Sequence, residues 1–349
     1  MSILLLNQNN TQLREQIEFA LAEVEGLFAE ELLSDLSCVN TLVTHVEQYR
    51  GKMLRPTLVL VSGMASAAGG DAAGLSDAHR IVATVVELVH MATLVHDDVL
   101  DEAEIRRRGC TVNELTGNEA AVMLGDYLIS HSYHLCSSLD RPAINHLIAD
   151  ATNTVCEGEL LQLANRNNWG LDEQTYFEII RRKTASLCGT CCRVAALLHE
   201  APSEVGDYLY NYGEKLGIAY QIVDDVLDLV GTEKTVGKTL GRDVQKGKLT
   251  LPLIHYLNHS TDSQRQQLLQ IMNGSTSPAG SSTRGAELLV VEQMDAVRDL
   301  LAPSDSVRYA NDLAASLVKQ AKASVASLPD TGCRKLMLDM ADAVLTRQF

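Results

Sequence analysis

The chain has 349 residues, 46% of them hydrophobic and only 4% aromatic, and carries 45 acids against 29 bases for a formal net charge of -16. A chain of this length buries a sizeable core, and the charge argues against nucleic acid or an anionic lipid surface as the main partner. Alanine, leucine and valine dominate and recur at helical rather than alternating spacing, so an all-α fold is expected.

A first amphipathic helix is expected over 12–36, where Leu13, Ile17, Leu21, Val24, Leu27 and Phe28 share one face. A short second helix follows over 41–49. Arg50-Gly51-Lys52-Met53-Leu54-Arg55-Pro56 interrupts the pattern, and Pro56 suits the first turn of the helix that resumes over 57–68. Gly69-Gly70-Asp71 is a turn, and Ser76 or Asp77 can cap a long apolar helix running through Ile81 to Val95. That helix closes on His96-Asp97-Asp98-Val99-Leu100-Asp101, with Arg106-Arg107-Arg108 just beyond. On a helix, Asp97 and Asp101 lie one turn apart on one face, and their carboxylates repel unless something cationic sits between them.

Further helices are expected over 118–139, 143–164, 172–199 and 203–229, with a break at Arg141-Pro142 and a polar loop over 165–170. The last of these ends as the first long helix does, in Gln221-Ile222-Val223-Asp224-Asp225-Val226-Leu227-Asp228, so Asp224 and Asp228 repeat the paired carboxylates. Two acidic runs in matching apolar frames suggest two facing helix ends and a hard divalent cation. Mg²⁺ takes oxygen ligands, is held by only one or two protein carboxylates, and completes its shell with water and substrate phosphate. Neither run has Cys or His at zinc-like spacing.

Between Thr232 and Lys248, five bases (Lys234, Lys238, Arg242, Lys246, Lys248) stand against Glu233 and Asp243, and a glycine-rich basic loop over the site is expected across 231–247. An acidic protein that gathers its cations beside two acidic runs suits a polyanion carried by metal. Helix returns over 249–257, a flexible loop is expected over 274–285, and two or three helices finish the chain, the last over 330–349.

The pattern never breaks for long, so one domain over 1–349 is expected. Eight cysteines without regular spacing read as free thiols of a reducing compartment, and the pair Cys188 and Cys191 reads as small side chains on a buried helix rather than half a zinc site. No leader peptide and no run near the ~20 apolar residues of a membrane span stands out, so a soluble, cytoplasmic protein is expected.

Six motifs occur in one order: GKMLRP from Gly51, LVHDDVLDEAEIRRR from Leu94, EGELLQ from Glu157, RKTASL from Arg182, YQIVDDVLD from Tyr220, and GKTLGRD with KGKLTLP between Gly237 and Pro252. On these the chain resembles the trans-isoprenyl diphosphate synthases of the polyprenyl synthetase family, and most of all their long-chain, octaprenyl branch, over about 51–257. The resemblance implies the isoprenoid synthase fold: a single-domain antiparallel helical bundle around a deep central cavity. It also implies a homodimer that condenses isopentenyl diphosphate head to tail with an allylic prenyl diphosphate, by ionisation, condensation and elimination.

Carried over position by position, it implies that Asp97, Asp101 and Asp224 hold Mg²⁺, with Asp98, Asp225 and Asp228 in support. Lys52, Arg55 and His90 would bind isopentenyl diphosphate. Arg106 would face the allylic diphosphate and Arg107 the isopentenyl one. Lys183, Thr184, Gln221 and Lys238 would serve the allylic side, with Lys248 a closing cation. The Lys183-Thr184 carbonyl and the Gln221 amide would lie near the allylic cation, as oriented dipoles that offer no nucleophile to trap it. His96, Glu157, Glu159 and Gln162 are further cavity candidates.

Short-chain members often carry an aromatic residue just before the first acidic run. Here Thr93 and Ala92 stand there, implying an open floor and a product of about octaprenyl length. Two departures are visible: Arg50-Gly51-Lys52-Met53 replaces the usual Gly-Gly-Lys-Arg, and Arg347-Gln348-Phe349 lacks a basic tail, so closure by a C-terminal cation is not expected. A cyclising or head-to-head terpenoid enzyme would also use paired acidic runs but has no evident use for Lys52, Arg55 and His90. A non-catalytic subunit of a heteromeric synthase would tend to lack one of the runs.

Overall fold

A computed structural model describes residues 11–47, 51–67, 75–106, 109–231, 241–273 and 283–347. They are helical apart from one two-stranded hairpin. They fall into two compact units, one of Met1–Thr154, Ala185–Lys215 and Gln320–Ala343, the other of Val155–Thr184, Leu216–Lys319 and Val344–Phe349.

In the first unit, α1 (Thr11–Glu31) and α2 (Ser37–Glu47) replace the single expected helix over 12–36 and its successor. The break has a local cause: Asn40 accepts the Ser34 amide at 3.0 Å and donates back to the Ser34 carbonyl at 2.8 Å, satisfying that backbone outside a helix. Helix α3 (Leu54–Ser66) carries Pro56 in its first turn, and every residue from Pro56 to Ala65 is buried. Helix α4 (Asp77–Leu100) is the centre of this unit, packed against α1, α3, α6 (Asn118–Ser137) and α9 (Ser186–Leu198). It buries Val82, Val85, Leu88, Val89, Met91, Ala92 and Val95.

Ser76 is its N-cap, and His79 takes the place that Glu or Gln holds in the usual capping box. His79 Nδ1 lies 2.8 Å from Ser76 Oγ, and its Nε2 lies 3.2 Å from the Ala195 carbonyl. Burial, with His199 close by, lowers its pKa to about 4.

Helix α4 has the length and composition of a membrane span, which the sequence reading did not expect. Of that stretch, 67% is buried within the protein, so its apolar faces are used in packing. After α4 come strands β1 (Ile105–Arg106) and β2 (Gly109–Cys110), paired antiparallel, and α5 (Val112–Thr116). Helix α7 (Pro142–Ala164) begins in the first unit and finishes in the second, and α10 (Ser203–Val230) does the same.

The helix expected over 172–199 is interrupted. Helix α8 (Glu173–Ile180) passes into a π-helical turn, Arg181–Ala185, before α9 resumes. The second unit continues with α11 (Arg242–Gln245), α12 (Leu251–His259), α13 (Asp262–Asn273), α14 (Thr283–Leu301) and most of α15 (Ser306–Ser324). Helix α16 (Gly332–Leu345) follows. Part of the basic loop expected over 231–247 is the helix α11, and 232–240 lie outside the described residues. The loop expected over 274–285 has given way to helix by Thr283, and 274–282 also lie outside. All eight cysteines are free thiols; Cys38, Cys110 and Cys156 are exposed and the other five buried.

Candidate active site

The first acidic run ends α4 in the first unit. Asp98 is turned inward and is gripped by Arg106 from β1, whose Nε lies 2.8 Å from Oδ2 and whose Nη2 lies 2.7 Å from Oδ1. This fork satisfies the buried carboxylate with a planar partner of matching shape. Arg106 thus braces Asp98 through Nε and Nη2. Asp97 and Asp101, on the neighbouring face, are only partly buried. Arg107 lies outside the described residues.

Lys52 and Arg55 flank the start of α3, and His90 lies on α4 two turns before Asp97. Between the two cations, Met53 has φ 51°, a left-handed conformation that costs a side-chain-bearing residue roughly 1–2 kcal/mol. Its carbonyl is held by the Thr57 amide at 2.9 Å and the Thr57 hydroxyl at 2.7 Å. The Nε of Arg55 is buried without a hydrogen-bond partner among the described residues. A guanidinium in that condition is suited to an incoming oxyanion. Ala92 is fully buried, whereas Thr93 is half-buried and its hydroxyl donates to the His90 carbonyl at 2.7 Å.

Apart from Arg106, the allylic-side candidates belong to the second unit. The π turn carries Lys183 and Thr184, and α10 carries Gln221 and the second acidic run. A Cβ on Gly158 would stand 2.5 Å from the Lys183 amide nitrogen, so only glycine lets α7 approach the π turn this closely. Lys183 pairs with Glu159, and Arg182 with Glu157 and Glu178. Thr184 Oγ1 donates to Gln221 Oε1 at 3.2 Å, and Gln221 Nε2 donates to Asp225 Oδ1 at 2.8 Å. The other oxygen of Asp225 accepts the Tyr176 hydroxyl at 2.7 Å. Burial, then Asp243 nearby, push the Asp225 carboxyl well above its usual pKa, against the pull of those two donors.

Asp228 is also buried and accepts the Asp243 amide at 3.2 Å. Lys248 is half-buried in a segment pinned at Gly247, whose φ is 65° and whose carbonyl accepts the Asn167 amide at 2.8 Å. Lys238 lies outside the described residues. Asp224 retains 27% exposure, and Arg347 approaches it with an N–O distance of 3.7 Å. The Arg347 guanidinium lies 3.7 Å over the Tyr220 ring. A C-terminal cation therefore does reach this acidic run.

Sequence reasoning missed Tyr176 and Arg347. Tyr176 precedes Lys183 at apparent helical spacing, but the π turn intervenes; Arg347 stands in a tail with too few bases to signal a role. A cavity of about 550 Å³ in the second unit, lined by His255, His259, Asp305, Arg308 and Tyr309 among others, contains none of the expected site residues.

A family model described as polyprenyl synthetase matches residues 37–285. The octaprenyl diphosphate synthase of Escherichia coli (strain K12) is 31% identical over 329 residues, which is 94% of this chain and 95% of that protein. The chain belongs to the polyprenyl synthetase family.

Like other members of the family, it is an enzyme, a trans-isoprenyl diphosphate synthase that condenses its substrates head to tail. Its helical bundle is the isoprenoid synthase fold. A decaprenyl diphosphate synthase from Rhodobacter capsulatus superposes with a TM-score of 0.84 at 30% identity, covering 97% of this chain and 99% of that one. A polyprenyl synthase from Caulobacter crescentus CB15, solved with calcium and isoprenyl diphosphate, gives 0.82 at 28% identity, covering 97% of each chain. Enzymes of the family use Mg²⁺. Among the described residues no three His, Cys, Asp or Glu side chains close on one point.

Proposed function

We propose that the enzyme elongates an allylic prenyl diphosphate with isopentenyl diphosphate to a long all-trans polyprenyl diphosphate, about octaprenyl, with Mg²⁺. One observation carries this reading. In each acidic run the second aspartate is buried and held by a partner of its own unit, Asp98 by Arg106 and Asp225 by Tyr176 and Gln221, while Asp97, Asp101 and Asp224 are only partly buried.

That donor set suits Mg²⁺: it is all carboxylate, and at Asp224 the Arg347 guanidinium, 3.7 Å away, already approaches as a counter-cation. Asp97, Asp101 and Asp224 would hold the metal, which supplies charge neutralisation to the departing diphosphate. In this reading the chain works as one domain.

Lys52, Arg55 and His90 bind the isopentenyl diphosphate, Arg55 through the fork whose Nε has no hydrogen-bond partner among the described residues, with Arg107 assisting. Arg106, Lys183, Lys238 and Lys248 serve the allylic diphosphate and its closure. Thr184 and Gln221 present oriented dipoles to the allylic cation, which the isopentenyl double bond attacks; loss of a proton, taken up by the released diphosphate, restores an allylic product. Asp98, Asp225 and Asp228 hold their neighbours in place.

Exposed Val122, Met123 and Tyr133 on α6, with Leu33, Leu36 and Leu115 in the same unit, support a homodimer. Free thiols throughout support a reducing, cytoplasmic location.

Labelled isopentenyl diphosphate is to be incubated with geranyl, farnesyl or geranylgeranyl diphosphate and Mg²⁺, and the products sized by mass. A ladder ending near eight units is expected. Cyclised or dimerised product from farnesyl diphosphate alone would instead mark another class of terpenoid enzyme.

A further inference from the structure

Tyr176 is buried in α8, and its hydroxyl donates to Asp225 Oδ2 at 2.7 Å. The phenol proton is therefore directed toward Asp225. Asp225 is thus fixed through one oxygen and takes Gln221 Nε2 on the other at 2.8 Å. Both oxygens of Asp225 are thus acceptors, and the one left to Gln221 takes the NH₂ end of the amide. The carbonyl end must then point the other way, where it accepts Thr184 Oγ1.

A side-chain amide has nearly the same shape either way round, and only its partners decide which end points where. Next to a developing carbocation the two orientations have opposite effects: the carbonyl oxygen attracts the charge and the NH₂ group repels it. From these contacts we infer that Tyr176 is a positioning residue that, through Asp225, sets the polarity of Gln221 toward the allylic cation. The inference rests on the role proposed for Gln221 above. All four groups, Tyr176, Asp225, Gln221 and Thr184, belong to the second unit. Tyr176 itself touches no substrate in this scheme.

Tyr176→Phe keeps the ring and removes the hydroxyl. In the condensation assay, kcat is expected to fall about tenfold or more while KM for both diphosphates stays within about twofold, the pattern of an interaction made in the transition state. The melting temperature should stay within about 3 °C of the parent. In ¹⁵N spectra of the unliganded protein, the Gln221 side-chain amide, assigned by its loss in Gln221→Glu, should exchange with solvent faster in Tyr176→Phe.

Unchanged kcat overturns the inference, as does a rise in KM matching the fall in kcat together with a large drop in melting temperature, the mark of a packing role. An active parent with an equally active Tyr176→Phe sinks the inference alone. A parent that makes no isopentenyl-dependent product sinks the proposed function and this inference with it.

Discussion

Burying a carboxylate costs several kcal/mol unless its lone pairs find donors, and Asp98 and Asp225 solve that problem with different chemistry. Asp98 takes a charged fork from Arg106; Asp225 takes neutral donors, a phenol and an amide. Asp98 is thereby paired with a charge of opposite sign, whereas Asp225 is held by uncharged groups. Neighbouring positions can differ as sharply in another respect. Ala92 has 0% exposure and Thr93 does not, so an aromatic ring introduced at the two sites should behave differently. Thr93→Phe should shorten the longest product with the fold intact. Ala92→Phe overpacks α4 and should cost roughly 1–3 kcal/mol in urea unfolding. Mass analysis of products beside denaturation curves separates the two; a shorter product from Ala92→Phe at unchanged stability would move the floor of the cavity to that residue.

At the level of elements, the cap of α4 couples a histidine to stability. His79 has a folded pKa of about 4 against an ordinary 6.5, so the fold favours the neutral ring. The unfolded chain binds the proton more readily; the contribution is therefore complete above about pH 6.5 and is lost as pH falls through about 4, and its full size is about 3 kcal/mol. His79→Gln keeps a side chain able to complete the cap but removes the titration. Unfolding free energy measured between pH 7 and 4 should fall less steeply in His79→Gln than in the parent; parallel curves would assign the acid sensitivity elsewhere.

The capped start of α4 was legible because Ser76 precedes a strongly periodic run, and both acidic helix ends were legible from the spacing of Asp97, Asp101, Asp224 and Asp228. The π turn was not. An extra residue in one turn of a buried helix only rotates the pattern after Ile180, and the buried residues on either side read as one continuous helix. The early end of α1 escaped notice for a related reason, since Leu32, Leu33 and Leu36 continue the apolar count while Asn40 captures the backbone. Which aspartate of each run turns inward also depends on residues distant in sequence, such as Tyr176 for Asp225, and adjacent letters cannot reveal it.

For the molecule as a whole, the five buried cysteines are distributed over α6, α9 and α16, elements that cannot open without disturbing the core. Burial pushes the thiol of Cys136 up to about 11 and that of Cys192 up to about 12, so they are doubly protected, by access and by protonation. Native protein treated with a maleimide should therefore gain label at Cys38, Cys110 and Cys156 alone, as read by intact mass, with the remaining five appearing in step with denaturant. Rapid labelling of Cys188 or Cys191 in buffer would show that α9 breathes. The unmutated chain thus carries its own set of chemical reporters, fast ones on its skin and slow ones at its heart, with which the opening of separate helices can be timed.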